Sequence, residues 1–251
     1  MSSLDVIIDS VTVIRGGKVV LSNLSAELRG PGLFQVIGPN GSGKTTLLLT
    51  IMGFIKPHKG RVLISTQCGS NGRRPFSYMP QSFSTPSYAP ITVYEFVKNY
   101  LALTRSWPRL WGVKVDDYVV EALELVGIPR SNWEEKISKL SSGMVQRAML
   151  ARTLALDAPI VLLDEPLSSI DPSGKAEIAD LLARTSRERT VIVTSHDPLL
   201  LVRYTKKVLL LGFGEYVYGD TGEVLRKETL QRFYKKCAIE LETQTHITDW
   251  H

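Results

Sequence analysis

Residues Gly38-Pro39-Asn40-Gly41-Ser42-Gly43-Lys44-Thr45 spell G-x-x-x-x-G-K-[ST], and this segment narrows the possible folds more than any other. It is approached by Leu33-Phe34-Gln35-Val36-Ile37, an apolar run suited to a buried strand. It leaves through Thr46-Leu47-Leu48-Leu49-Thr50-Ile51-Met52-Gly53, a helix-like stretch that ends at a glycine cap. Strand, glycine-rich loop and helix in that order predict an α/β domain with a nucleoside triphosphate on the loop. The physics is anion capture: glycines let the backbone close in, and N–H groups at a helix start point at phosphate. Lys44 adds a point charge for the β and γ phosphates, and the Thr45 hydroxyl suits a Mg²⁺ ligand. Thr46 completes the candidate phosphate-binding set that begins at Gly38.

The bulk numbers restrict the class. The 251 residues suffice for one large domain or two small ones sharing a core. With 43% hydrophobic and 22% charged residues the composition is that of an ordinary globular protein. No apolar run approaches the roughly 18 residues of a membrane span. The opening Met1-Ser2-Ser3-Leu4-Asp5 lacks the basic start and apolar core of a signal peptide, so the chain is expected in the cytosol. Cys68 and Cys237 stand far apart, without metal-ligand spacing. The formal charge of +5 is compatible with contact to nucleic acid or an anionic membrane, but solubility is the favoured reading of so modest a charge.

Along the chain, Val6–Ile14 and Val19–Leu28 read as paired strands with Gly16-Gly17 as their turn, and Gly60–Ile64 as another strand. Cys68 to Pro75 is a looser Gly-, Asn- and Arg-rich stretch. From about Thr92 to Ala155 the pattern turns helical: Val93, Phe96, Val97, Tyr100 and Leu101 recur at helical spacing, as does Asp117–Val126, which stops at Gly127. Ser106–Gly112 interrupts as a loop. Parallel-sheet signals resume at Ile160–Leu163 and Thr190–Thr194, flanking a helix from Ser173 to Thr185. A last helical stretch runs from Val224 to Lys236.

Ile160-Val161-Leu162-Leu163-Asp164-Glu165-Pro166 places two carboxylates at the end of a buried strand, where α/β sheets bind ligands. Beside a phosphate loop, the first acid suits Mg²⁺ and the second suits the attacking water.

The chain resembles the ATPase subunits of ABC transporters, from about Leu4 to about Lys236. The deciding residues are Leu140-Ser141-Ser142-Gly143-Met144-Val145-Gln146-Arg147, similar to the family signature LSGGQ followed by Q-R. A Ser/Gly turn opening a helix is a second anion site. In the family it meets the ATP of a partner subunit, so two ATP molecules are sandwiched in a head-to-tail dimer. Tyr78-Met79-Pro80-Gln81 matches the Q-loop, and Leu167-Ser168-Ser169-Ile170-Asp171-Pro172 is similar to the loop that carries contacts between the two sites. Val193-Thr194-Ser195-His196-Asp197 resembles the segment of the switch histidine.

The resemblance implies a P-loop ATPase core with a mostly parallel sheet, an N-terminal antiparallel β subdomain and a helical insertion. The core spans about 1–81 and 156–236, the insertion about 82–155 and a tail 237–251. Glu165 is the implied catalytic carboxylate, with His196 and Gln81 completing the water site. Thr45, Gln81 and Asp164 are the implied Mg²⁺ ligands. Ser141, Ser142, Gly143 and Asp171 are the residues implied to face the partner's ATP.

Three positions depart from the family. Ser142 replaces a glycine, which is acceptable at negative φ. Met144 replaces a glutamine, leaving the backbone amides in place. Arg15, before Gly16-Gly17, stands where the family stacks an aromatic on adenine, and a guanidinium plane can also stack on a base.

The implied partners are a second copy or a paralogue, separate membrane permease subunits that would hold the chain on the cytoplasmic face of the membrane, and a substrate-binding protein if the system imports. No nucleic acid is expected. The stretch Ser82–Val93, where the family docks a permease, together with Tyr78–Gln81 looks most like importers of metal ions and metal chelates. An exporter ATPase and a non-transport ABC protein acting on ribosomes or DNA are the alternatives.

Overall fold

A computed structural model describes residues 4–65, 75–82, 90–104 and 115–234. In chain order the strands are β1 (Val6–Arg15), β2 (Lys18–Leu28), β3 (Gly32–Ile37), β4 (Lys59–Ile64), β5 (Phe76–Met79), β6 (Ile160–Asp164), β7 (Thr190–Ser195), β8 (Thr205–Leu211) and β9 (Tyr216–Gly219). The α-helices are α1 (Lys44–Ile51), α2 (Val93–Thr104), α3 (Val115–Leu125), α4 (Ser142–Leu154), α5 (Pro172–Thr185), α6 (Thr221–Val224) and α7 (Lys227–Tyr234). The expected loop Ser106–Gly112, almost all of Cys68–Pro75 and most of Ser82–Val93 lie outside the described residues.

The chain divides into two compact units. The first comprises Met1–Asp5, Arg29–Leu33 and Ile64–Val193. Here β5, β6 and β7 are neighbours in that order, and β5 runs parallel to β6 from Phe76↔Ile160 to Met79↔Leu163. All five residues of β6 are buried, which is why its sequence is an unbroken apolar run up to its terminal acid. Helices α2, α3 and α4 pack on one another, and Val97, Leu101, Val119, Leu123, Ala148 and Leu150 are among their buried residues. The Arg152 guanidinium lies over the rings of Phe96 and Tyr100, 4.8 and 4.5 Å from their centroids. Arg189 ties α4 to the sheet, with Nη2 donating to Asp157 Oδ1 at 2.8 Å and Nη1 to Leu154 O at 3.3 Å.

The second unit comprises Val6–Leu28, Phe34–Leu63 and Thr194–His251. Strands β1 and β2 form the expected antiparallel hairpin, Val6↔Leu28 to Arg15↔Lys18, with Gly16 and Gly17 in its turn at φ +55° and +74°. The sheet order is β2-β1-β4. Strands β8 and β9 form a second antiparallel pair, and Ile37 joins Val208, Leu210, Val224 and Phe233 in one core cluster.

The last helical stretch differs from its expectation. It is two helices, α6 and α7, broken at Leu225-Arg226. A straight helix turns about 100° per residue, so nine residues would place Val224 and Phe233 on opposite faces. Both enter the same core cluster, and the break makes that possible.

Candidate functional site

The phosphate loop belongs to the second unit. Gly38 has φ +150°, and a Cβ there would lie 2.3 Å from Leu211 O and 2.7 Å from Ser42 Oγ. Gly43 starts α1 from the left-handed region at φ +103°, with a would-be Cβ 2.8 Å from Val20 Cγ1. The loop is thus pressed between the end of β8 and the β2 side chains: a Cβ at Gly38 would meet backbone, and one at Gly43 would have to displace the Val20 side chain. Lys44 is buried, and its Nζ donates to Gly38 O at 2.9 Å and Pro39 O at 3.3 Å. Ser42 Oγ is a buried oxygen with no hydrogen-bond partner, a polar atom turned into the loop that suits a phosphate oxygen. Asn40 and Gly41 are exposed, and Thr45 and Thr46 lie half-buried in the first turn of α1.

Arg15 is exposed at the end of β1, opposite Lys18. Ile14 N donates to His58 Nδ1 at 3.3 Å, which steadies this end of the hairpin. His196 is exposed just past β7. Its loop is braced from below. Gln35, fully buried in β3, donates from Nε2 to Pro198 O at 3.3 Å and to Thr205 Oγ1 at 2.6 Å.

The acidic turn and the signature helix belong to the first unit. Strand β6 delivers Asp164 and Glu165 in buried positions, 1% and 8% exposed. Glu165 has φ +51°, a conformation that non-glycine residues adopt at a cost. Its carbonyl accepts from Gln146 Nε2 at 2.9 Å and from Ser168 N at 3.3 Å. Burial, and then the Asp164 charge, push the Tyr78 hydroxyl in β5 up to about 12. Gln81 is exposed two residues past β5.

Helix α4 opens on Ser141, whose Oγ accepts from Met144 N at 3.3 Å. Ser142 and Gly143 fill its first turn, and a Cβ on Gly143 would lie 3.1 Å from Ser169 O. Asp171 caps α5 by accepting from Gly174 N at 3.0 Å. The Ser173 hydroxyl and then that N–H hold its carboxyl below the usual carboxylate range.

The first unit therefore brings together Ser141, Ser142, Gly143, Glu165 and Asp171 around α4 and the acidic turn. The second groups Gly38 to Thr46 with the Arg15 hairpin. Gln146, in sequence a letter of the signature, is in the structure a buried donor to the acidic turn, a role that no local pattern marks. Among the described residues no group of three or more His, Cys, Asp or Glu could hold a metal. The candidate Mg²⁺ ligands, Thr45, Gln81 and Asp164, supply hydroxyl, amide and carboxylate oxygens, the donor chemistry a hard divalent cation takes.

The sequence profile described as "ABC transporter" matches residues 21–168. The zinc import ATP-binding protein of Wolbachia pipientis is 28% identical over 235 residues, 93% of this chain and 90% of its own length. The manganese transport system ATP-binding protein of Synechocystis is 31% identical over 235 residues, 92% of this chain and 90% of its own. A metal-chelate type ABC transporter solved in an inward-facing conformation superposes with a TM-score of 0.77 at 23% identity, over 92% of this chain and 89% of that one. That likeness establishes the fold, a P-loop ATPase cassette of parallel and antiparallel strands. Among the described residues no helix is long and apolar enough to cross a membrane. The chain belongs to the ABC transporter family.

Proposed function

We propose that this chain is the ATP-hydrolysing subunit of an importer for divalent metal ions of the zinc and manganese class, acting on separate permease subunits at the cytoplasmic face of the membrane. Family membership makes it an ATP-binding subunit of an ATPase family. One observation carries the catalytic half of the proposal: the residue that follows a buried strand is a buried carboxylate, Glu165, held in the left-handed region. The cargo rests on relatives that match over at least 90% of either chain and are named for zinc import and manganese transport.

In this reading Gly38, Pro39, Asn40, Gly41, Ser42, Gly43, Lys44, Thr45 and Thr46 hold the phosphates, and Arg15 stacks on the base. Glu165 polarises the attacking water, with His196 and Gln81 completing the water site. Thr45, Gln81 and Asp164 hold Mg²⁺, which when bound neutralises charge on the β and γ phosphates. Ser141, Ser142, Gly143 and Asp171 face ATP held by a second copy or a paralogue in a head-to-tail dimer. The α/β core of about 1–81 and 156–236 binds nucleotide, the helical segment of about 82–155 carries the signature, and 237–251 is a tail.

The test combines ATP turnover with uptake of radiolabelled zinc and manganese in cells carrying Glu165→Gln. ATP binding is expected to survive, turnover to fall by about 10²–10⁴, and metal uptake to stop. Wild-type turnover in that variant overturns the catalytic assignment. Unchanged metal uptake beside lost turnover overturns the cargo, and copurification with ribosomes or DNA instead of a permease overturns transport itself.

A further inference from the structure

The carboxylate turn is held by a side chain outside the catalytic set proposed above. At φ +51° Glu165 occupies a region that persists in non-glycine residues only where the surroundings over-determine it. Gln146, in the second turn of α4 and 6% exposed, donates from Nε2 to Glu165 O at 2.9 Å. One turn earlier on the same helix, Gly143 lies so close to Ser169 O that a Cβ would sit 3.1 Å from it. The next residue, Arg147, fixes the helix on its other side. Its Nη1 donates to Val126 O at 2.6 Å, and its Nη2 to Glu177 Oε2 at 2.9 Å. The opening of α4 is therefore fastened both to the acidic turn and to the neighbouring helices α3 and α5.

We infer that Gln146 is a positioning residue for Glu165, its amide holding the left-handed turn so that the signature helix and the catalytic carboxylate move as one piece. The inference rests on the proposed role of Glu165. The reasoning is geometric. Rotating φ of Glu165 back to negative values would turn its side chain and its carbonyl carbon together about the N–Cα bond. Gln146 grips the carbonyl, so it also aims the carboxylate. A displacement of about 1 Å at a reacting group can cost up to about 10²-fold in rate. The same grip gives a shift of α4 a direct route to the water-polarising group, through a bond rather than through general packing.

Gln146→Met keeps the length of the side chain and removes the donor, while Gln146→Asn keeps the amide but shortens its reach. For the full chain, Gln146→Met is expected to lower kcat about tenfold to hundredfold, with ATP affinity within about twofold and the melting temperature nearly unchanged. In a Glu165→Gln background, followed by single-turnover hydrolysis, Gln146→Met is expected to add no further loss, because no carboxylate remains to be aimed. Gln146→Met turnover at the wild-type level overturns the inference. So does a joint fall of kcat and affinity, or a loss that multiplies in full on Glu165→Gln. If Gln146→Met does not fold, Gln146→Asn decides by the same criteria. An inactive Glu165→Gln beside a fully active Gln146→Met removes this inference alone. A fully active Glu165→Gln removes the catalytic reading and this inference with it.

Discussion

Two kinds of helix start coexist in this molecule. Helix α1 begins at Gly43, in the left-handed region and with no side chain capping it. Helices α4 and α5 begin at Ser141 and Asp171, each of which accepts a backbone N–H of its own first turn. A capping side chain takes up one of the free N–H groups of the first turn, whereas a helix that begins on a glycine leaves all of them to an anion brought from outside. The same contrast appears in the backbone. The phosphate loop makes its tight turns at glycines, Gly38 and Gly43, where positive φ is cheap. The acidic turn forces positive φ on a glutamate and holds it with Gln146. The phosphate loop is shaped by which residues are absent from it, the acidic turn by which residues grip it.

The largest expected effect comes from adding a methyl group where the loop has no space. Gly38→Ala would put a Cβ 2.3 Å from the backbone oxygen of Leu211, which cannot rotate away. Overpacking of this kind costs about 1–3 kcal/mol, so ATP affinity measured by calorimetry should fall by about tenfold to hundredfold. Gly17→Ala is the control: its φ is also positive, at +74°, but nothing lies within 4 Å of the added Cβ. It should leave ATP affinity unchanged. Equal losses in both variants would mean that positive φ, rather than close approach, shapes the loop.

A smaller effect tests the other side of the contrast. If Glu165 is strained, Glu165→Gly should be more stable than Glu165→Ala by about 1 kcal/mol in urea denaturation, because glycine enters the left-handed region without the Cβ penalty. In ordinary helix or strand positions the order is reversed. An alanine variant as stable as the glycine variant would show that the turn carries no strain for Gln146 to hold.

The degree to which these features could be read from sequence follows the same division. The phosphate loop announces itself because its glycines occupy fixed offsets between an apolar run and a helix, and β6 because full burial leaves it uniformly apolar up to Asp164. The β1–β2 hairpin was legible from alternation around Gly16-Gly17. Strand β5 was passed over because four residues carry too little periodicity, and β8 because Thr205-Lys206-Lys207 hides the start of its apolar run. The break between α6 and α7 depends on two residues nine apart seeking one core, a tertiary demand that local pattern does not express. The left-handed turn at Glu165 carries no glycine to mark it, and the partner that holds it is 19 residues away in the chain. Neighbourhoods of that kind become visible only after folding.

The smallest effect separates the two kinds of helix start by pH. At Asp171 the Ser173 hydroxyl and the Gly174 N–H both donate to the carboxylate, which favours its ionised form and lowers its folded pKa. A depressed carboxylate adds stability above the unfolded value, near pH 4, and that stability disappears as pH falls through the folded value. Asparagine caps a helix about as well as aspartate but has no proton to gain. Asp171→Asn should therefore melt close to wild type at pH 7, and the difference between the two should move in favour of the variant below roughly pH 4. Helix α1, begun by a glycine, has no carboxylate at its start to contribute such a slope. A melting-temperature difference that stays constant from neutral to acid pH would remove the ionised cap from α5, and with it the contrast between a helix that satisfies its own first turn and one that leaves that turn to a ligand.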